Sequence, residues 1–282
     1  KLAPFTVDTT KLTNTSDNPL NWGHKYEPIT TMLYENKNNV KIREFGCIPH
    51  KNIPFLAASP DGIVISDHMK GRMLEIKNVV SREITGIPKM EYYIQMQVQM
   101  EVCDLDECDF VETKFLEYDT YYDFMNDKAR HNNDKGMIIV ILENNNFIYE
   151  YSNVGENSEK QLDSFIDSVY EKYNISGEIY GNMNSSTGSH KWFKNIYWKL
   201  EKYSCVLVQR NKNWFDEAYP YMKEFWNNIM DERKVPESHI KYQPKKRITK
   251  TKSNEKTETN VNVVKINNFM TENNDIVDLN NL

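Results

Sequence analysis

The chain has 282 residues, enough for one large domain or one domain with an appendage at roughly 100–200 residues per domain. Aromatics make up 12% of it, so a core of ordinary size is available, and no run of about eighteen apolar residues marks a membrane span. The net charge of −6 argues against a protein that coats nucleic acid, although an acidic chain can still carry a metal site beside a local basic groove.

Residues 1–18 are polar and threonine-rich, and the chain starts at Lys1 without a secretory pattern, as a fragment of a longer protein would. Residues 22–35 carry a helical pattern with Ile29, Met32 and Leu33 on one side, and Pro28 is expected to start or kink its regular part. Strands are predicted over 40–48, 54–65 and 72–79. Pro88 opens a predicted helix that runs to about Cys103, and 108–117 reads as a strand. A hairpin is predicted from 136–142 and 146–152 around Asn144-Asn145. Leu162, Phe165, Ile166, Val169 and Tyr170 recur at helical spacing over 157–173. A Gly/Ser/Asn-rich loop follows at 181–189, then a strand over 203–210 and an aromatic amphipathic helix over 213–232. From about 235 the composition is too polar to offset the entropy of ordering, which predicts a disordered tail over 235–282. Within it, Pro244-Lys245-Lys246-Arg247 reads as a targeting signal, a loose DNA contact or a solvated charge run.

Cys47, Cys103, Cys108 and Cys205 form no C-x-x-C pair, and no Cys/His pair completes a zinc site. They read as reduced thiols of an intracellular protein.

The chemistry concentrates in Ala58-Ser59-Pro60-Asp61-Gly62 and Met73-Leu74-Glu75-Ile76-Lys77, two apolar runs joined by a short polar connection over 66–71 that closes on Gly71. If Ser66 lies opposite Arg72, Ile63 faces Glu75 and Asp61 faces Lys77. Alternation then puts Asp61, Glu75 and Lys77 on one face of a hairpin. Asp61 and Glu75 become diagonal neighbours about 7–8 Å apart at the backbone, within reach of one hard cation such as Mg²⁺. A carboxylate-held metal neutralises a phosphate and activates water near pH 7, and Lys77 can orient that water or meet developing charge. An E-x-K alone is more often a surface pair; the S-P-D-G at hairpin distance is what shifts the balance.

Two more segments extend the pattern: Trp22-Gly23-His24-Lys25-Tyr26-Glu27, and Tyr93-Ile94-Gln95-Met96-Gln97-Val98-Gln99-Met100. Taken in order with the hairpin, they resemble the lambda-exonuclease (YqaJ-type viral recombinase) family of the PD-(D/E)xK nucleases, over about 19–117 and more loosely over 206–231, where Arg210 falls. The resemblance implies an α/β fold with a restriction-endonuclease-like core, a mixed sheet flanked by helices. The domain would span 1–234, with 118–202 inserted as a peripheral subdomain supplying no metal ligand. It also implies a Mg²⁺-dependent exonuclease acting on double-stranded DNA, with Mn²⁺ substituting. Asp61, Glu75 and the backbone carbonyl of Ile76 would hold the metal. Lys77 would be the catalytic lysine, Glu27 a helix carboxylate near the metal, and Gln97 a glutamine near the scissile phosphate, with Gln99 an extra. A single-strand annealing protein and further copies of the chain are the implied partners. The alternatives are a structure-specific endonuclease on the same core and a non-catalytic DNA-binding scaffold. Family members carry an Arg-containing stretch before the W-G helix, linked to the 5′ phosphate; here no Arg precedes Arg43.

Overall fold

The computed structural model describes residues 19–127, 134–144, 146–175 and 190–242. Residues 1–235 form one compact unit and 236–282 a second, whose described part is a 3-10 turn over Ser238–Tyr242. The threonine-rich start, the 181–189 loop and the basic cluster at 244–247 lie outside the described residues. Among the described residues no helix is long and apolar enough to cross a membrane.

The first helix, α1 (Pro19–Asn38), runs unbroken through Pro28, where an interruption was expected. Pro28 sits on the exposed side, while Tyr26, Ile29, Leu33 and Tyr34 on the inner side are almost fully buried. Burying such side chains contributes roughly 1.5–3 kcal/mol each, comparable in sum to several times the cost of one mid-helix proline of about 3 kcal/mol. Asn39 at φ +53 ends the helix, and the Val40 amide returns to the Glu35 carbonyl at 3.1 Å. Asn and Asp tolerate this left-handed stop better than most residues.

The predicted strand over 40–48 is two short strands, β1 (Ile42–Arg43) and β2 (Ile48–Pro49), divided around Gly46 at φ +64. The predicted strand over 54–65 is likewise divided into β3 (Ala57–Ala58) and β4 (Gly62–Val64), with the Ser59-Pro60-Asp61 turn between them. Strand β5 (Met73–Asn78), helix α2 (Met90–Cys103) and strand β6 (Glu107–Tyr118) form a parallel crossover unit. Then come α3 (Tyr121–Asn126), the hairpin of β7 (Lys135–Glu143) and β8 (Asn146–Tyr151), and α4 (Glu159–Lys172). A capping box between Ser158 and Gln161 starts α4. The chain ends its larger unit with β9 (His190–Gln209) and α5 (Lys212–Glu232).

Seven strands make one mixed sheet in the order β1-β4-β5-β6-β9-β7-β8, and β2 and β3 pair separately. Among the described residues only β5 and β6 are parallel neighbours. The 20-residue β9 is the tie: its first half pairs with β7 and its second with β6. Residues 118–202 therefore include strands that lengthen this same sheet.

Helices flank both faces. Alternate residues of a strand point to opposite faces, and the packing follows that rule. Leu74, Ile76, Val111, Phe115, Ile138 and Val140 pack on the α1 side with Trp198. On the other side Met73, Cys108 and Phe110 pack with Met96 and Met100 of α2, and Met137, Ile139 and Ile141 pack with α4.

Gly62 shows why the turn before β4 needs a glycine. A Cβ there would lie 2.3 Å from Cγ2 of Ile42 on β1. Gly62→Ala is expected to lower stability by about 1–3 kcal/mol through overpacking. Adding Ile42→Ala should recover part of that loss, because the clashing methyl is gone. Urea melts of the two variants and the double variant test this; additive losses would show that the contact is not the cause.

Candidate active site

Alternation along β5 places Met73, Glu75 and Lys77 on the face covered by α2. Glu75 is fully buried. Its Oε1 is ion-paired with Lys77, and its Oε2 accepts from Nε2 of Gln99 on α2 at 2.9 Å. The Lys77 ammonium also lies 5.1 Å from the ring centre of Tyr92 on α2, a cation–π contact.

Asp61 enters from the turn before β4. Strand β4 starts only at Gly62, so two residues beyond the last β4–β5 pair, Gly62–Leu74, the Ile76 amide meets a side chain instead of a backbone carbonyl. Asp61 Oδ2 accepts that amide at 2.6 Å. The register differs from expectation. Ile63 pairs with Met73 and Gly62 with Leu74, two residues away from the predicted Ile63–Glu75 pairing. The connection takes up more chain than a tight hairpin: a 3-10 turn spans Asp67–Met69, and Gly71 at φ +86 returns its amide to the Val64 carbonyl at 2.9 Å. A shift of two preserves which face each side chain occupies. Asp61 and Glu75 therefore still share a site, now across from each other rather than diagonal.

The electrostatics record this proximity. Burial and then the Glu75 charge push the Asp61 carboxyl up to about 7, against the Ile76 amide and Lys77, which favour its ionised form. Burial opposes the charge on Lys77, but the charge and hydrogen bond of Glu75, helped by Asp61, hold it above its ordinary value. Glu27 on α1 is raised by burial; His24 and Lys77 lower it, and Glu44 and Glu75 raise it further. Four expected residues, Glu27, Asp61, Glu75 and Lys77, thus belong to one electrostatic cluster. Ile76 lies between Glu75 and Lys77, with its side chain in the core on the α1 side.

Gln97 is elsewhere. Its Nε2 donates to the Gln209 carbonyl at 2.9 Å, and its Oε1 accepts from the Asn211 amide at 2.6 Å. It fastens α2 to the junction of β9 and α5, and Gln99 is the glutamine that reaches the carboxylates. Spacing shows that Gln97 and Gln99, two apart on a helix, point to nearly opposite sides, with Gln99 on the face of Tyr92 and Met96; which face meets β5 is set by packing. Arg82 and Glu112 were also missed. They are ion-paired, Glu112 lies in register with Lys77, and Arg82 stands 5.8 Å from the ring centre of Tyr92. Arg210 is a brace, with two bonds to Glu101 at 2.7 and 3.2 Å and one to Asp104 at 2.9 Å. His24 and His68 are exposed, and the four cysteines are free.

Among the described residues no group of three or more His, Cys, Asp or Glu side chains converges to hold a metal. Two carboxylates do share the site, and one is raised by burial and then by the charge of the other. Hard oxygen donors crowded in this way fit a small divalent cation in chemical type.

Residues 4–106 match the YqaJ-like viral recombinase domain. An uncharacterized protein of Acanthamoeba polyphaga mimivirus is 31% identical over 242 residues, covering 74% of this chain; the chain spans 43% of that protein's length. Two solved structures are similar to it. LHK-Exo in complex with dAMP has 18% identity, 78% coverage of this chain, 72% of that one and a TM-score of 0.41. The alkaline exonuclease LHK-Exo from Laribacter hongkongensis has 22% identity, with 56% and 71% coverage and a TM-score of 0.31.

Two predictions follow from the geometry. Gln97→Leu leaves the Gln209 carbonyl and the Asn211 amide without their partner, and should cost about 1–3 kcal/mol in a denaturant melt. A loss below a few tenths would show that water replaces the amide freely. For Asp61, a raised folded pKa means that stability present below about pH 4 is lost as pH rises through about 7. In chelator-treated protein, Asp61→Asn should therefore raise Tm more at pH 8 than at pH 5. An equal gain at both values would show that Asp61 does not titrate in this range.

Proposed function

Taking the match of residues 4–106 to the YqaJ-like viral recombinase domain as the starting point, we propose that this chain is a metal-dependent deoxyribonuclease that hydrolyses duplex DNA from its ends. The observation that carries the reading is the convergence of a fully buried Glu75 with half-buried Asp61 and Lys77 in one site inside that matched stretch. A surface E-x-K pair has no reason to bury its glutamate completely against a second carboxylate.

Asp61 and Glu75 would hold Mg²⁺, with Mn²⁺ as a substitute, and the Ile76 carbonyl is the proposed backbone ligand. When bound, the ion would neutralise the phosphate and supply an activated water near neutral pH. The chain's own residues set the stage for that. Lys77 keeps a full positive charge beside Glu75, where it can orient the attacking water and meet charge on the phosphate. The face of Tyr92 limits where the ammonium can go. Glu27, raised first by burial and facing the same cluster, is placed to hold or release a proton at its carboxyl. Arg82, ion-paired with Glu112, lies on the same tyrosine ring beside Lys77. The single strands left by digestion from an end would serve recombination or genome processing, with an annealing protein as the natural recipient.

The test uses end-labelled linear duplex with Mg²⁺ or Mn²⁺, with EDTA as the stop, and compares 5′-phosphorylated with 5′-hydroxyl ends. Labelled nucleotides should be released progressively, and covalently closed circles should survive. Asp61→Ala, Glu75→Ala and Lys77→Ala should each lose activity on the order of 10²-fold or more while staying folded, because the parts act as a unit. Wild-type rates from any of the three would remove it from the site, and cleavage of closed circles would make the chain an endonuclease.

A further inference from the structure

Gln99 is buried, 4% exposed, and its amide stands between two acceptors that belong to different parts of the chain. Nε2 lies 2.9 Å from Oε2 of Glu75 on β5 and 3.3 Å from the Ser59 carbonyl, two residues before Asp61. Both neighbours can only accept, so only the nitrogen end of the amide satisfies them; this fixes which way the side chain faces. Oε1 is buried and receives no hydrogen bond among the described residues. An arrangement that leaves one end of a buried amide unpaired is costly, and what it secures is the bridge made by the other end.

We infer that Gln99 is a positioning residue that locks the Glu75 carboxylate and ties it to the turn bearing Asp61, so that the two carboxylates are pre-set for one divalent cation. The inference rests on the metal-dependent reading above. Oε1 of Glu75 is held by Lys77, and Oε2 by Gln99, so the buried carboxylate has both oxygens restrained. Asp61 is restrained separately by the Ile76 amide. Lys77 and Ile76 belong to the same strand as Glu75, so their contacts do not connect Glu75 to the Ser59-Pro60-Asp61 backbone from outside the strand. Gln99 does so through a rigid helix whose Met96 and Met100 are fully buried beside Met73. Partners of metal-binding carboxylates that orient them typically change metal affinity by roughly 10–100-fold when removed.

The experiment measures binding of Mn²⁺ alone, without DNA, to the full chain by calorimetry and by loss of the free-Mn²⁺ paramagnetic resonance signal. Gln99→Met keeps the length and removes both hydrogen bonds. Gln99→Asn keeps a buried amide that is too short to reach both acceptors, and decides the matter if the methionine variant does not fold. Thermal midpoints in EDTA identify folded variants. Mn²⁺ affinity is expected to fall roughly 10–100-fold in either folded variant. Wild-type Mn²⁺ affinity in a folded Gln99 variant would overturn the positioning role and leave the metal reading standing. No Mn²⁺ binding by the wild-type chain would overturn the metal reading and this inference with it.

Discussion

Two carboxylates share a buried site in this protein, and much of the surrounding structure bears on that expense. Charge in a low-dielectric interior is unfavourable, and like charge beside it more so. The Lys77 ammonium lies on Glu75, a backbone amide lies on Asp61, and the Gln99 amide lies on the remaining Glu75 oxygen. Asp61 still ends with its carboxyl near 7. A fold selected for stability alone would replace such a pair with apolar side chains of similar volume. Its presence at the heart of the matched stretch is the physical ground for reading it as chemistry.

The sheet makes the site possible by ending early. Strand β4 pairs with β5 for only a few residues, because Gly62 must pass close to Ile42 and the chain turns at Ser59-Pro60-Asp61. That leaves a backbone amide on β5 for Asp61 to take, beyond the last β4–β5 pair. On the other side β5 is fully paired with β6, and the crossover helix α2 lies on the face that Glu75 and Lys77 occupy. One strand thus presents two charged side chains on the α2 face, beyond the end of β4, while its alternate residues, Leu74 and Ile76, stay in the core on the α1 side.

Charged braces fix α2 and β5 from outside the site. Arg72 binds Glu107 and Asp109, and the Tyr34 hydroxyl donates to Asp109 at 2.6 Å, so α1, β6 and the start of β5 are joined. At the far end of α2, Arg210 holds Glu101 and Asp104, while Gln97 fastens the helix to the start of α5. These paired contacts are weak evidence for net stability, but they specify orientation. An α2 braced along its C-terminal half, from Gln97 to Asp104, keeps Gln99 over the carboxylates with the restraint that metal and phosphate chemistry needs.

The composition of face and strand was written into the sequence. Alternation through Met73-Leu74-Glu75-Ile76-Lys77 settles which residues share a side, because the period of a strand is two whatever it pairs with. For the same reason a register error of two residues left Asp61, Glu75 and Lys77 together. Four of the helices, α1, α2, α4 and α5, were legible from apolar spacing and Pro88, while the short α3 was not. Tertiary structure alone decided the rest. Pro28 stays inside α1 because buried neighbours outweigh a local penalty. Residues 190–202 join β9 because β6 and β7 offer pairing on either side of a strand too irregular in pattern to stand out alone, with bulges at Lys114/Phe115 and Val140/Ile141. Gln99 rather than Gln97 meets Glu75 because the rotation of α2 about its own axis depends on what Met96 and Met100 pack against. Local sequence sets periodicity; which side of a helix faces a given strand is set by packing between segments distant in the chain, and no window of sequence contains both.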